Sequence, residues 1–394
     1  MKKKMVFIMG GLENGGGERS LINLLQLIDY GMYDVDLILF KERGMLLEQV
    51  PKEVNILSNL KELHFMYDNS LKNTFSLKKI RLSLVHIIGT IISKVRSKSE
   101  FHKGQYRWEH YYKRVIPVFD KEYDVGISYL EGEPMLYLVD KINAKRKIAW
   151  IHTDYSKINS DKEMDLKYLK KIDKIVSISD MCVNVLKNIF PSISTKIVCL
   201  PNLTSSKSIN LLANKFYPEE YLKKEDDIKL LSIGRLVKLK GFDIALEAAQ
   251  KLKERGIKFK WYIVGDGVLR DELEEKKKEL KLEEFIFLGI RKNPYPYLKY
   301  ADIIVQPSRY EGKSMVLDEA KILNKPIVVT NYDTVHDQIK EKEGIIVEID
   351  AESLSKGIEK MIYEKEKYTK YLNKNEYGSE KEILKYYKLF NSID

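Results

Sequence analysis

Short runs rich in Val and Ile alternate with longer amphipathic stretches along almost the whole sequence. This alternation is typical of βα units that build a parallel sheet. The rhythm restarts once, which predicts an α/β protein with two Rossmann-like domains. The strands predicted for the first domain are residues 5–9, 36–40, 125–129, 147–151, 174–178 and 196–200. Those predicted for the second are residues 228–233, 260–264, 285–288, 303–306, 326–330 and 345–347.

The length of 394 residues agrees with two domains of ordinary size. We place the first domain at residues 1–203 and the second at 204–375. The polar stretch from Thr204 to Lys215 lacks apolar periodicity and is predicted to be a linker. Residues 376–394 predict a final helix, which we expect to pack back on the first domain because its apolar face must be covered.

The net charge is +10, with 68 basic and 58 acidic residues, and the pI is near 9.0. Most of the excess lies in residues 71–116, which hold eleven basic and two acidic residues. Such a balance suggests nucleic acid, an anionic membrane surface or a phosphorylated small molecule as partner. Aromatic stacking platforms and nucleic-acid-binding motifs are absent from the sequence, so we expect no nucleic acid.

An insertion at residues 59–114 carries this charge. Basic residues lie at both ends of a stretch in it whose apolar positions recur at helical spacing. These apolar positions are Ile80, Leu84, Ile87, Ile88 and Ile91. Such a helix can lie on anionic lipid, which makes residues 72–114 a candidate membrane contact. The alternative is that the stripe packs on the domain and the charges are solvated.

Any membrane contact is expected to be peripheral. The apolar run of residues 5–9 after Lys2–Lys4 is too short for a signal peptide, and the longest apolar stretch, residues 84–92, is far short of the roughly 20 residues that span a bilayer. We therefore predict a cytoplasmic protein on the inner membrane face. Cys182 and Cys199 have no disulfide or metal-ligand spacing.

Three segments that follow predicted strands carry candidate chemistry. Gly10–Gly17 precedes a helical run and suits a phosphate loop, because glycines let the backbone approach an anion at a helix N-terminus. Arg235 and Lys240 follow the first strand of the second domain, and they suit phosphate oxygens unless they are ordinary surface cations. Glu311 and Glu319 flank a predicted helix N-terminus that the amides of residues 313–315 open, and this arrangement can hold a polyol and a ribose.

Two motifs are rejected. Gly312-Lys313-Ser314 is similar to the end of a Walker A loop, but Pro307 stands where that loop requires glycine. Asp34-Val35-Asp36 has the form of an Asp-x-Asp metal motif, and we interpret it as a turn entering a strand.

Together, these segments resemble family 4 of the glycosyltransferases, which have the GT-B fold of two facing Rossmann-like domains with a cleft between them. The resemblance rests on motifs in family order, namely the glycine loop, Gly234-Arg235 with Lys240-Gly241, Val264-Gly265-Asp266-Gly267, Ala301-Asp302, and Glu311 with Glu319 after seven intervening residues. It implies a retaining transfer of a hexose or N-acetylhexosamine from a nucleoside diphosphate sugar, UDP favoured. The implied acceptor is a lipid-linked or polymeric glycan of a cell-surface polysaccharide, and no cofactor or metal is implied.

The resemblance also assigns roles to residues. The catalytic set that it implies is Glu311, Arg235, Lys240 and His152. The donor-binding set is Gly16, Gly17, Gly234, Ile290, Lys313, Ser314, Met315 and Glu319. Glu131 and Asp154 are expected at the acceptor, although a structural role for each is the alternative. A nucleotide-sugar epimerase and an inactive binding subunit of a transferase complex remain alternative functions.

Overall fold

The computed structural model describes residues 2–13, 15–67, 80–97, 99–222 and 227–392. The chain divides into two compact units. The first comprises Met1–Asn202 with Glu382–Asp394, and the second is Leu203–Lys381.

The first unit contains a seven-stranded parallel sheet in the order β3-β2-β1-β4-β5-β6-β7. Its strands are β1 (Lys3–Met9), β2 (Tyr33–Leu39), β3 (Asn55–Ile56), β4 (Phe119–Ser128), β5 (Ile142–Ile151), β6 (Lys174–Ser177) and β7 (Ile197–Cys199). The helices of this part of the chain are α1 (Gly16–Leu27), α2 (Lys61–Tyr67), α3 (Ile80–Arg96), α4 (Glu100–His110), α5 (Glu133–Lys141), α6 (Lys162–Leu169) and α7 (Asp180–Ile189). The strand order reverses between β1 and β4, and ligands of doubly wound sheets bind at the carboxyl edge of such a point.

The second unit contains a six-stranded parallel sheet in the order β10-β9-β8-β11-β12-β13. Its strands are β8 (Ile228–Ile233), β9 (Phe259–Val264), β10 (Phe285–Gly289), β11 (Ile303–Gln306), β12 (Ile327–Thr330) and β13 (Gly344–Val347). The helices are α8 (Ser206–Ala213), α9 (Phe242–Glu254), α10 (Arg270–Glu279), α11 (Tyr295–Tyr300), α12 (Met315–Ile322), α13 (Val335–Gln338) and α14 (Ala351–Leu372). Here the order reverses between β8 and β11.

The α/β fold class is confirmed, and each of the twelve predicted strands is present. Strand β3 was missed, because a two-residue edge strand has no periodicity to detect. The expected turn at Asp34–Asp36 was wrong, since these residues lie inside β2. The Asp36 carboxylate is buried there and accepts hydrogen bonds from Lys121 Nζ at 2.7 Å and the Tyr123 hydroxyl at 2.5 Å.

The linker predicted from Thr204 to Lys215 was also wrong, because most of it forms α8. Ser205 caps this helix by accepting a hydrogen bond from Ser208 N at 3.2 Å. Ile209 and Ala213 lie four residues apart on its buried face. A stripe of two apolar side chains in eight residues is too short to be distinguished from irregular sequence.

The last helix, α15 (Ile383–Asn391), packs on the sheet of the first unit. The Phe390 ring meets the rings of Phe7 and Trp150, with centroids 6.5 and 6.4 Å apart. The Tyr386 hydroxyl donates to Pro201 O at 2.9 Å. No helix within the described ranges has both the length and the apolar character that crossing a bilayer requires.

Candidate active site

The loop after β8 begins at the carboxyl edge of the second sheet. Gly234 N donates to Val264 O at 3.0 Å, which extends the β8–β9 pairing by one residue. Arg235 follows with an exposed side chain, and Lys240 is half-buried. Gly241 ends the loop with φ +66°, and a Cβ atom there would lie 1.9 Å from Pro307 O. Only glycine permits this approach of the loop to the segment after β11.

Glu311, in the loop after β11, is the centre of a polar cluster. Its Oε1 forms an ion pair with Lys240 Nζ, and it accepts hydrogen bonds from Gln306 Nε2 and Ser308 Oγ, both at 2.8 Å. The Glu311 side chain is 11% exposed. The Thr334 hydroxyl donates to Glu311 O at 2.9 Å, which fixes the backbone as well. The structure thus brings the predicted carboxylate and the predicted cation into direct contact.

A second ion pair holds the same two loops together. Arg309 donates to both carboxylate oxygens of Asp243, Nη1 to Oδ1 at 2.6 Å and Nη2 to Oδ2 at 2.8 Å. Asp243 lies in the first turn of α9, and it also pairs with Lys238 Nζ at 2.7 Å. Burial of this carboxyl opposes ionisation, but the bonds from Arg309 and Lys238 outweigh it and lower the pKa of Asp243 below its ordinary value. Arg309 N donates to Leu239 O at 2.8 Å, which completes the junction.

Hydrogen bonds from other residues of the second unit fix the N-terminus of α12. Ser314 N donates to Gln338 Oε1 at 3.0 Å, and Gln338 Nε2 donates back to Ser314 O. The Ser314 hydroxyl donates to Gln306 Oε1 at 2.7 Å. Lys313 is half-buried with Nζ 3.3 Å from Asp318 Oδ2, and Met315 is buried. The Ser314 amide, which we expected at the donor, therefore binds a protein atom in this structure, and so does the Ser314 hydroxyl.

Glu319 and Ile290 lie on neighbouring parts of the same unit. The Glu319 side chain is fully buried on α12, and its Oε1 accepts a hydrogen bond from the Tyr295 hydroxyl at 3.0 Å. Tyr295 opens α11, five residues after Ile290, whose side chain is exposed directly after β10. Tyr295 is thus a polar neighbour of Glu319 that sequence reasoning missed.

The glycine loop of the first unit leads into α1, which begins at Gly16. In the described part of the loop, no side chain caps the first amides of this helix. Gly17 lies so close to the segment after β4 that a Cβ atom would be 2.8 Å from Leu130 Cδ2 and 3.8 Å from His152 Cγ. The structure thus brings the glycine loop and His152 together at one sheet edge.

His152 follows β5 with both ring nitrogens buried, and neither has a hydrogen-bond partner among the described residues. Burial lowers the pKa of His152 to about 4, although the nearby charge of Glu131 acts in the opposite direction. The imidazole is therefore neutral near pH 7. Its ring lies 5.1 Å from that of Tyr129, and the Tyr129 hydroxyl is 2.9 Å from Ser20 Oγ.

The two residues expected at the acceptor make contacts within the protein. Glu131 Oε2 accepts from His152 N at 3.0 Å, and its Oε1 accepts from the Thr153 hydroxyl at 2.6 Å. Asp154 is buried and caps a short turn by accepting from Ser156 N at 2.9 Å. Both contacts position the segment around His152, and an acceptor role for either residue stays a prediction.

Sequence reasoning missed the residues that hold these groups in place: Gln306, Ser308, Arg309, Asp243, Thr334 and Gln338. Gln306 carried a signal, since it is a polar residue at the end of an apolar strand. Gln338 carried none, because it lies more than twenty residues from the segment it binds. Among the described residues, no three His, Cys, Asp or Glu side chains gather as a metal site.

Residues 214–378 match the family model of glycosyl transferases group 1. An uncharacterised glycosyltransferase of Haemophilus influenzae is 25% identical over 97% of this chain and 98% of its own length. The Campylobacter jejuni enzyme N-acetylgalactosamine-N,N'-diacetylbacillosaminyl-diphospho-undecaprenol 4-alpha-N-acetylgalactosaminyltransferase is 34% identical over 37% of this chain and 40% of its own length. For the first curated relatives, the match spans about two fifths of their length or less.

Solved structures show the fold over the whole chain. Anabaena Alr3699/HepE, in complex with UDP and glucose, has a TM-score of 0.69 at 14% identity, covering 99% of this chain and 100% of its own. A glycosyltransferase from Rickettsia africae has a TM-score of 0.66 at 18% identity, covering 99% of this chain and 100% of its own. These likenesses confirm the two-domain GT-B fold.

Proposed function

We propose that the whole chain is a retaining glycosyltransferase, since residues 214–378 of its second unit match the family model of glycosyl transferases group 1. It moves a hexose or N-acetylhexosamine from a nucleoside diphosphate sugar to a lipid-linked or polymeric glycan. UDP is the favoured nucleotide, and cell-surface polysaccharide synthesis is the proposed setting. The proposal requires no metal ion.

The observation that carries this proposal is the contact of Lys240 with Glu311 at the reversal of strand order in the second sheet. It places a cation and a carboxylate side by side where doubly wound sheets bind their ligands. The cation can bind a diphosphate, and the carboxylate can accept hydrogen bonds from sugar hydroxyls. Arg235 adds an exposed guanidinium to the same loop, suited to paired phosphate oxygens.

The reaction breaks the bond between the sugar's anomeric carbon and a phosphate oxygen, and the electron pair leaves with the diphosphate. An acceptor hydroxyl oxygen attacks that carbon on the same face and gives its proton to the departing phosphate oxygen. Arg235 and Lys240 stabilise the growing negative charge. Cations that are fixed near the departing phosphate lower the barrier because they need not reorganise during the reaction.

Glu311 is the proposed ligand of the donor-sugar hydroxyls, with the amides of Lys313 and Met315. Ser314 supports that turn through Gln306 and Gln338. Glu319 is the proposed ribose ligand, and the ribose would replace the Tyr295 hydroxyl as its partner. Gly234 and Ile290 complete the donor set as backbone and apolar contacts.

For the first unit we propose acceptor binding around Glu131 and Asp154. His152 and the amides of Gly16 and Gly17 are proposed to assist the donor. A neutral imidazole has one nitrogen that donates and one that accepts a hydrogen bond, so it suits a sugar hydroxyl.

Relatives support a UDP-sugar as the donor and polysaccharide synthesis as the pathway. The Anabaena structure contains UDP and glucose, and Staphylococcus aureus TarM, with a TM-score of 0.66 at 16% identity, was solved with UDP and alpha-GlcNAc-glycerol. Relatives from Erwinia amylovora and Escherichia coli are named for amylovoran and colanic acid biosynthesis. The charged cluster favours transfer over an inactive binding subunit, and nothing in it favours an epimerase.

The test is product formation with pooled UDP- and GDP-sugars and a membrane lipid extract, followed by mass spectrometry. Glu311→Gln should reduce turnover by on the order of 100-fold or more, because the amide cannot replace a charged acceptor for three donors. Glu279→Gln, at an exposed position on α10, is the matched control and should turn over normally. Wild-type levels of product from the Glu311 variant would remove this residue from the site, and absence of any product with every donor would overturn the function.

A further inference from the structure

Helix α3 turns its large apolar side chains outward. Within the described residues, these side chains remain exposed, from 36% at Ile87 to 81% at Val95. They recur three to four residues apart, so they form one stripe along the helix: Ile80, Leu84, Ile87, Ile88, Ile91 and Val95. The stripe is about 20 Å long at the rise of an α-helix.

The opposite face of α3 packs on the domain. Its buried positions are the small residues Ser83, Gly89 and Ser93, and Leu82 and Val85 pack half-buried against the core. Gly89 lies against the ring of Tyr111, where a Cβ atom would be 3.3 Å from the ring carbons. Most large apolar side chains of α3 nevertheless lie on its exposed face, whereas an ordinary surface helix buries them. The expectation that the stripe packs on the domain is therefore not met for the described residues.

The charge on α3 itself has one sign, although the exposed carboxylate of Glu100 at the start of α4 lies near Lys94. The sequence of α3 contains no acidic residue, and Arg81, Lys94 and Arg96 are exposed near its two ends. Of these, Arg96 bonds to the Tyr106 hydroxyl at 3.3 Å, a contact that leaves its charge uncompensated. Four other predicted cations of residues 72–114 lie outside the described residues: Lys72, Lys78, Lys79 and Lys98. Three described ones, Lys103, Arg107 and Lys113, are paired with Glu100, Glu133 and Glu109.

We propose that the outward face of α3 docks on an anionic lipid surface. A broad apolar stripe flanked by cations is the composition that inserts into the interface of a bilayer and pairs with acidic headgroups. A second copy of the chain is a poorer occupant, because pairing two α3 helices would bring their like charges together without any acidic residue on the helix to offset them.

The docking surface is connected to the edge of the first sheet where the acceptor is proposed to bind. Helix α4 packs on α3 and begins at Glu100, next to the exposed ring of Phe101. That ring would lie within 3.5 Å of a Cβ atom at Gly132, which ends the loop between β4 and α5. Provided that the proposed function holds, docking through α3 presents the acceptor edge to lipid-linked glycans.

The test is co-sedimentation of the full chain with vesicles of phosphatidylcholine alone or with phosphatidylglycerol added, without any nucleotide sugar. We expect binding only to the anionic vesicles, weakening as salt is raised. The double variant Ile87→Ser with Ile91→Ser should weaken binding by about tenfold or more, since both side chains are exposed and each loses buried apolar contact with lipid. Arg81→Gln with Lys94→Gln should also weaken it by about tenfold, from two lost headgroup contacts.

The control is Leu211→Ser, which removes an equally exposed leucine from α8 in the second unit and should bind like wild type. Equal binding to neutral vesicles, or unchanged binding by the α3 variants, would overturn the proposal. A dimer in analytical ultracentrifugation that the isoleucine variant dissolves, with no vesicle binding, would assign the face to a second copy instead. Nucleotide-sugar hydrolysis in detergent-free solution is measured separately, so loss of docking and loss of the proposed function are distinguishable.

Discussion

Lys240 Nζ is paired with Glu311 Oε1, and this contact joins the loops that follow β8 and β11, two adjacent strands of the second sheet. The Glu311 carboxylate is also held by Gln306 and Ser308, so the protein itself fixes its position. A bound diphosphate would share Lys240 with Glu311. Because Lys240 and Glu311 lie on different loops, the distance between them depends on how closely the two loops are held together.

Gly241 sets that distance, and its replacement by alanine tests it. Gly241→Ala should lower the free energy of unfolding by more than about 2 kcal/mol, because the new methyl group meets Pro307 O in addition to the cost of a left-handed backbone. Gly256→Ala is the matched control, since Gly256 has φ +75° with open space around its Cβ position. It should lose only about 1 kcal/mol. Equal losses in urea denaturation would show that the approach of the loops is not tight.

Arg309 acts as a positioning residue, through its bidentate contact with Asp243. Arg309→Lys should lower kcat about tenfold with a smaller change in KM, because lysine cannot span both carboxylate oxygens and Glu311 loses its alignment. Lys385→Ala, which breaks an exposed pair with Glu382, is the control and should leave kinetics unchanged. An unchanged kcat for Arg309→Lys would make the pair purely structural.

The Asp243 carboxylate makes folding stability depend on pH. Because the pKa of Asp243 is lowered in the folded protein, its stabilising contribution is complete above the ordinary pKa of 3.8 and is lost as the pH falls below it. Asp243→Asn should therefore cost stability at neutral pH and progressively less below about pH 4. Denaturation midpoints of the two proteins should converge at low pH, and a constant difference would contradict the lowered pKa.

His152 predicts pH dependence in a different range. Its pKa is lowered to about 4 by burial from the ordinary 6.5, so the unfolded chain binds a proton that the folded chain rejects between these values. Folding stability should fall as the pH decreases from about 7.5 to about 5, by about 2 kcal/mol from this residue. His152→Gln should lack that part of the fall, and the exposed control His336→Gln should retain it. Parallel pH profiles for wild type and His152→Gln would refute the burial of a neutral imidazole.

The strands of both sheets were predictable because buried parallel strands are continuous runs of Val, Ile and Leu, which few other elements resemble. The residues after those strands were predictable for the same reason, since strand ends define the binding edge. Arg235, Lys240 and Glu311 were placed at that edge in this way, and their binding roles stay predictions.

The partners of these residues were not predictable. Gln338 reaches Ser314 from a four-residue helix, and Tyr295 reaches Glu319 from another element. Such contacts depend on how distant helices and strands pack, and residue spacing in the sequence does not predict that packing. The helical stripe of α3 was visible in the sequence, but only the structure shows that the stripe faces outward rather than into the domain.

Titration calorimetry with UDP and GDP tests the central claim most directly, because it asks whether the second unit's loops bind a nucleoside diphosphate. Wild type should bind one of the two, and Arg235→Gln should weaken that binding by about 10- to 100-fold, from lost charge-assisted hydrogen bonds to phosphate. Lys258→Gln removes the same charge just before β9, at the amino edge of the sheet, and should bind like wild type. Absence of binding to either nucleotide, or equal affinity of wild type and Arg235→Gln, would contradict a diphosphate site in these loops.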